Sequence, residues 1–216
     1  MIKAIIFDFD GTIVDTESPW YDLVSDLYRG HGHELPLSDY LTCIGTSGDG
    51  FDVYQHLEQL LGRNIDREGI KRDLTAQHHE LMKSTELRPG VLDIILAAHA
   101  RGLPLAIGSS SPRVWVDSYL RRFGLLEYFR CIVTADDVAR VKPDPALFNQ
   151  ARAGLGSQAA ETLVFEDSCY GLEAAIAAGL PCVAVHNRLT IAMDFSGAAR
   201  VYGAFTEFSL DEVIGL

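Results

Sequence analysis

The chain begins with an apolar run, Ala4-Ile5-Ile6, that leads into Phe7-Asp8-Phe9-Asp10-Gly11-Thr12. An apolar run closed by Asp and Gly predicts a buried strand that ends in a loop. Two residues apart on an extended segment, Asp8 and Asp10 place their carboxylates on one side. Paired acids at the end of a buried strand oppose stability, because like charges repel and burial penalises ionisation. Such a pair points to a bound metal, or to a reaction that uses two acids in different roles.

Three further groups lie just after a strand candidate or in a loop on the same face. Ser109 closes the run Ala106-Ile107-Gly108, Lys142 sits in Val141-Lys142-Pro143-Asp144-Pro145, and Glu166-Asp167 closes Leu163-Val164-Phe165. All strand ends of a parallel sheet face one way, so these groups can converge. The set suits phosphoryl transfer through an aspartyl-phosphate, since carboxylates act as nucleophiles at phosphorus. A carboxylate approaching a phosphate dianion is repelled, and a divalent metal must offset that repulsion. Magnesium is a hard cation held by one or two carboxylates with substrate oxygens and waters. Asp8 with Asp167, with or without Glu166, supplies such ligands. Ser109, with Ser110 and nearby backbone N–H groups, holds phosphoryl oxygens, and Lys142 neutralises the charge spread over them in the transition state. Asp10 protonates the leaving oxygen and then deprotonates the attacking water.

The elements that must position these groups follow from the alternation after about Leu87. Strands are predicted over Met1 to Phe7, Leu103 to Ile107, Cys131 to Thr134, Thr162 to Phe165 and Cys182 to Val185. Helical patterns fall between them, near Val91 to Ala100, Arg113 to Phe123, Ala146 to Ala153 and Gly171 to Ala178. This is the signature of an α/β fold, a Rossmann-like parallel sheet with helices on both faces. The stretch before it differs: helical patterns at Tyr21 to Arg29, Phe51 to Leu61 and Arg67 to Lys83, and no convincing strand. The expected division is a core of residues 1–16 and 88–216 with an inserted helical cap of residues 17–87. An insert rooted after the first strand covers the strand ends and can act as a lid.

Composition sets the remaining bounds. The 216 residues carry a net charge of −12, which argues against nucleic-acid or anionic-membrane partners and makes an anionic substrate depend on a local positive device. Cys43, Cys131, Cys169 and Cys182 lack any C-x-x-C spacing and read as reduced thiols. No apolar run approaches the roughly 20 residues that span a bilayer, and strand-like sequence from Met1 leaves no room for a signal peptide. The expected setting is the cytoplasm, and nothing in the sequence demands more than a monomer.

Simpler roles attach to several residues. Ser109-Ser110-Ser111-Pro112 also suits the start of a helix, itself an anion site. Asp144 reads as a turn acid, and His78-His79 as part of a solvated helix face. His56, His99 and His186 read as structural or exposed. Trp20 reads either as core of the insert or as an apolar wall over the substrate. Asn187 follows the last strand, where it can help order a metal site.

Taken in order, Phe7 to Thr16, Ile107-Gly108-Ser109-Ser110-Ser111, Val141-Lys142-Pro143 and Phe165-Glu166-Asp167-Ser168 with Gly171 and Ala178-Gly179 resemble the motifs of the haloacid-dehalogenase superfamily. The branch resembled has a helical cap, like β-phosphoglucomutase and the sugar-phosphate phosphatases. The resemblance spans nearly the whole chain, the cap matching mainly in being helical. It implies Asp8 as nucleophile and magnesium ligand, and Asp10 as acid/base that offers its backbone carbonyl to the metal. Ser109 and Lys142 would bind phosphate, Asp167 would bind the metal, and Glu166 would do so directly or through water. Thr16 and Trp20 are the expected substrate neighbours.

The presence of Asp10 speaks against dehalogenation, because dehalogenases of the superfamily lack the second aspartate. A mutase of this branch has a histidine just after the first motif and a cap arginine on the distal phosphate. The matching positions here are Trp20 and Gly48, and no other side chain gives arginine's bidentate grip. A phosphonate hydrolase needs a cap lysine, and Lys71 and Lys83 do not match that context. A catalytically silent binding protein would have no reason to keep the whole set. The expected activity is therefore hydrolysis of a small phosphate ester, a sugar or polyol phosphate, with Mg²⁺.

Overall fold

The computed structural model describes residues 1–45 and 50–216. Six strands form one parallel sheet: β1 (Ala4–Phe7), β2 (Leu105–Gly108), β3 (Phe129–Val133), β4 (Thr162–Glu166), β5 (Cys182–Val185) and β6 (Arg200–Tyr202), in the order β3-β2-β1-β4-β5-β6. The first five lie where the apolar runs place them. β6 has only the residues Arg-Val-Tyr and sits at the edge, too short for a periodicity to mark it.

Side chains alternate across this sheet and divide the core in two. Ile5 and Phe7 of β1, Leu105 and Ile107 of β2, and Leu163 and Phe165 of β4 join one buried cluster. It is closed by α5 (Val91–Ala100), α6 (Arg113–Arg122) and α9 (Leu210–Ile214). Ala4, Ile6, Ala106 and Val164 face the other cluster, under α7 (Ala146–Leu155) and α8 (Cys169–Ala177). Burial on both faces explains why these strands read as continuous apolar runs.

Between β1 and α5 the described residues form no strand. Four helices fill the segment: α1 (Glu17–Gly30), α2 (Leu37–Tyr40), α3 (Val53–Leu61) and α4 (Arg67–Met82). They enclose their own cluster of Val24, Tyr28, Leu35, Tyr40, Ile44, Leu57 and Leu74, joined by Leu189 from the loop after β5. The Asp52 carboxylate accepts from the Tyr54 and Gln55 N–H groups and so caps α3, and Asp66 caps α4 through the Gly69 N–H. The two connections to the sheet lie side by side, with an antiparallel bridge between Val14 and Leu87.

Ligands of open α/β sheets bind outside the carboxyl ends of the strands, where the strand order reverses. Here the chain leaves β1 toward β2 on one side and β4 toward β5 on the other. The crevice therefore opens between β1 and β4, where the Asp8 N–H donates to the Phe165 carbonyl at 2.9 Å and sets Asp8 beside Glu166.

Candidate active site

Three acids and one base meet at that crevice, all buried: Asp8, Glu166, Asp167 and Lys142. Lys142 Nζ donates to Asp8 Oδ1 and, at 2.6 Å, to Glu166 Oε1. Glu166 Oε2 accepts from the Asp167 N–H, the Ser168 N–H and the Ser168 hydroxyl at 2.8 to 2.9 Å. Asp167 accepts from Asn187 Nδ2 at 2.8 Å and from Thr12 Oγ1 at 3.4 Å. Two glycines permit this density. A Cβ on Gly11, at φ +80°, would lie 2.1 Å from Asp167 Oδ2, and one on Gly171 would lie 1.8 Å from Glu166 Oε1.

The charges do not balance. Burial pushes Asp8 up to about 7, Lys142 pulls it down less strongly, and Glu166 and Asp10 add to the rise. Burial, then Glu166 and Asp8, hold Asp167 well above the usual carboxylate range despite Arg88. Burial would lower Lys142, but the attraction of Asp8 and Glu166 wins and holds it above its ordinary value. One ligand oxygen from each of Asp8, Glu166 and Asp167 lies within 4.8 Å of the other two. An all-oxygen donor set with surplus negative charge fits a hard divalent cation.

Asp10 stands outside that cluster, and its carboxylate faces a cavity of about 1090 Å³. Oδ1 accepts from Thr16 Oγ1 and Trp115 Nε1, both at 2.8 Å, and Oδ2 from Ser111 Oγ at 2.6 Å and Ser109 Oγ at 3.4 Å. Thr16 lines the cavity with its hydroxyl already engaged by Asp10, and Trp20 lines it as a wall, edge-on to the His78 ring. The Ser110 hydroxyl donates to the Gly45 carbonyl at 3.2 Å, a contact between the sheet end and the helical insert. Gly48 lies outside the described residues.

The expected solvated face holds for His79 but not for His78. His79 is exposed and stacks on Trp115; His78 is buried, with Nε2 donating to the Thr16 carbonyl at 3.0 Å and burial lowering its pKa. The partner lies 62 residues away, so no pattern within α4 announces it. Trp115, Ser111 and Arg88 were not expected to act in the site. Buried Arg88 donates to the carbonyls of Gly11, Val185 and His186 at 2.6 to 2.7 Å, so it ties the loop after β1 to the end of β5. A lone indole in the first turn of the helix that follows Ser109-Ser110-Ser111 was the available signal for Trp115.

A family model described as haloacid dehalogenase-like hydrolase matches residues 5–185. The chain belongs to that family. Among its relatives, YhcW of Bacillus subtilis (strain 168) is 42% identical over 190 residues, 88% of this chain and 86% of that protein. The fructose-1-phosphate phosphatase YqaB of Escherichia coli (strain K12) is 31% identical over 183 residues, 84% of this chain and 95% of its own. The crystal structure of CbbY from Rhodobacter sphaeroides in complex with phosphate superposes with a TM-score of 0.72 at 30% identity, covering 96% of each chain. Membership makes the chain an enzyme of the haloacid dehalogenase-like hydrolases, and its six-stranded parallel sheet is the sheet the motifs implied. Among the described residues no helix is long and apolar enough to cross a membrane.

Proposed function

We propose that this chain is a magnesium-dependent phosphomonoester hydrolase that acts on a small phosphorylated metabolite, a sugar or polyol phosphate. The observation that carries the reading is the buried set of Asp8, Glu166, Asp167 and Lys142 beside an Asp10 aimed into the cavity by four donors. The naming of YqaB as a sugar-phosphate phosphatase supports it. Residues 17–87 act as a cap over a core of residues 1–16 and 88–216. The charge of −12 and cysteines without C-x-x-C spacing suit work in the cytoplasm, and nothing in the sequence demands more than a monomer.

Asp8 attacks phosphorus and forms the new O–P bond as the ester oxygen leaves with a proton from Asp10. Asp10 then takes a proton from water, which cleaves the aspartyl-phosphate and frees Asp8 and inorganic phosphate. Lys142, Ser109 and the N–H groups around Ser110 hold the phosphoryl oxygens. Asp8, Asp167 and the Asp10 backbone carbonyl, with Glu166 directly or through water, would hold a magnesium ion. Its charge offsets the repulsion between Asp8 and the phosphate dianion.

The test is release of inorganic phosphate from sugar phosphates, polyol phosphates, nucleotides and an aryl phosphate, in Mg²⁺ or in EDTA. Release that needs Mg²⁺ and concentrates in the sugar or polyol class is expected. Folded protein that releases nothing in Mg²⁺ from any ester would sink the reading.

A further inference from the structure

The cavity over Asp10 is built from both parts of the molecule. Trp20, Tyr40, Phe51 and Tyr54 of the insert face Trp115 and Tyr119 of α6. Among the described residues no lysine or arginine lines it. Residues 46–49 read Thr-Ser-Gly-Asp, so the sequence adds no cation there. Burial lowers the pKa of His78, although its bond to the Thr16 carbonyl pulls the other way, and His79 stands exposed at the rim.

The carboxylates of the lining differ in what they meet. Asp52 accepts from the Tyr54 and Gln55 N–H groups and pairs with Arg67, so its charge is answered. Asp10 has its four donors. Glu17, the first residue of α1, is half-buried, and no hydrogen bond or ion pair joins its carboxyl to any described residue. With no protein donor on it, the Glu17 carboxyl keeps its accepting capacity open to a ligand in the cavity. A second anion brought into this space would meet the carboxylates of Asp10, Glu17 and Asp52 with no lysine or arginine among the described lining residues to answer it.

We propose that the substrate's leaving group is uncharged and polyhydroxylated, with hydroxyls donating to Glu17 and its apolar face on the aromatic wall. Glu17 is thus a specificity-determining residue that, once ionised, excludes esters carrying a second phosphate or carboxylate. This rests on the phosphatase reading and narrows it. A sugar or polyol has both surfaces the cavity presents partners for, O–H donors and C–H faces. A bisphosphate or an acid phosphate has a charge for which the wall holds no counterpart.

Glucitol 6-phosphate and 6-phosphogluconate test this directly, because they differ only at carbon 1, CH₂OH against carboxylate. Ionised or not, Glu17 accepts from a hydroxyl, but only the ionised form repels an anion, so kcat/KM is measured at about pH 9. The wild type is expected to favour glucitol 6-phosphate by roughly 30-fold or more, and Glu17→Gln to shrink that ratio at least about fivefold. A merely structural role for Glu17 would slow both esters alike and leave the ratio unmoved. Equal turnover of the two esters, or a ratio unchanged in Glu17→Gln, overturns the assignment while the phosphatase reading stands. Turnover of an aryl phosphate but of neither sugar ester overturns the polyhydroxylated leaving group. Release from none of the three overturns the phosphatase reading and this inference with it.

Discussion

At the carboxyl end of the sheet every acid of the site meets donors from the protein, whereas in the helical wall above it Glu17 meets none. Asp10 and Glu17 line the same cavity seven residues apart, yet one is gripped by Thr16, Trp115, Ser111 and Ser109 and the other is left open. Groups that do the same thing for every substrate gain from being fixed before it arrives, since no reorganisation is then needed at the transition state. A group that recognises one leaving group must keep its hydrogen-bonding capacity for the ligand. On the proposed reading the two regions separate chemistry from choice, and each can be broken on its own.

The largest effect is expected at Asp8. Asp8→Asn should lower phosphate release by at least about 10³-fold, because the proposed nucleophile is gone. The protein should remain folded. Burial holds the Asp8 carboxyl near 7, so a neutral amide relieves a charge the site resists. A thermal melt at pH 8 should show the Asp8→Asn variant unfolding no earlier than wild type, and an earlier melt would mean that Lys142 needs this partner more than Glu166 provides.

Lys142→Met comes next. It keeps chain length and removes the only ammonium between Asp8 and Glu166 among the described residues. The expected loss is about 10²- to 10³-fold in kcat/KM, with stability down by about 3 to 5 kcal/mol at neutral pH as two buried carboxylates face each other. Urea unfolding reads the second quantity. Adding Glu166→Gln to Lys142→Met should restore much of the stability and none of the activity; recovery of both would show that Lys142 only balances charge.

A smaller loss tests the grip on Asp10. Trp115→Phe keeps the ring and deletes the indole donor, and about tenfold in kcat is expected, as for one hydrogen bond to a charged group. KM should stay nearly fixed, and the loss should be greater for an alkyl ester than for an aryl ester whose leaving group needs no proton. A change in KM alone would recast Trp115 as a substrate wall.

What the sequence made legible follows the same division. Asp8, Asp10, Ser109, Glu166 and Asp167 stand at or just past a strand end and Lys142 in the loop between β3 and α7, so local runs locate them. Asn187 was readable by the same logic, and its amide meets Asp167 at 2.8 Å. Trp115 and Arg88 were not, because their partners lie 105 residues and 77 to 115 residues away and no local period encodes such a contact. His78 misled for that reason too, since its pairing with the Thr16 carbonyl exists only once the insert folds back over the sheet. Strand β6 was invisible because three residues at a sheet edge need pairing partners more than they need a pattern.

Glu17→Gln gives the smallest effect and the sharpest check on the contrast with Asp10. Burial first, then Asp10, Asp15 and Asp8, push Glu17 up to about 8 from an ordinary 4.5. The folded state therefore keeps its proton where the unfolded state has lost it, so this group's contribution to stability is full below about 4.5. It declines as the pH rises and is lost above about 8. Glutamine cannot ionise and carries no such decline. Asp8 and Asp167 titrate in both proteins, so their share largely cancels in the difference. The two proteins should melt together near pH 4, and the variant should melt a few degrees higher, about 2 to 4 °C for each kcal/mol, near pH 9. Parallel curves would mean that Glu17 ionises as freely as a surface acid, and a carboxyl so well hydrated could not sort one leaving group from another.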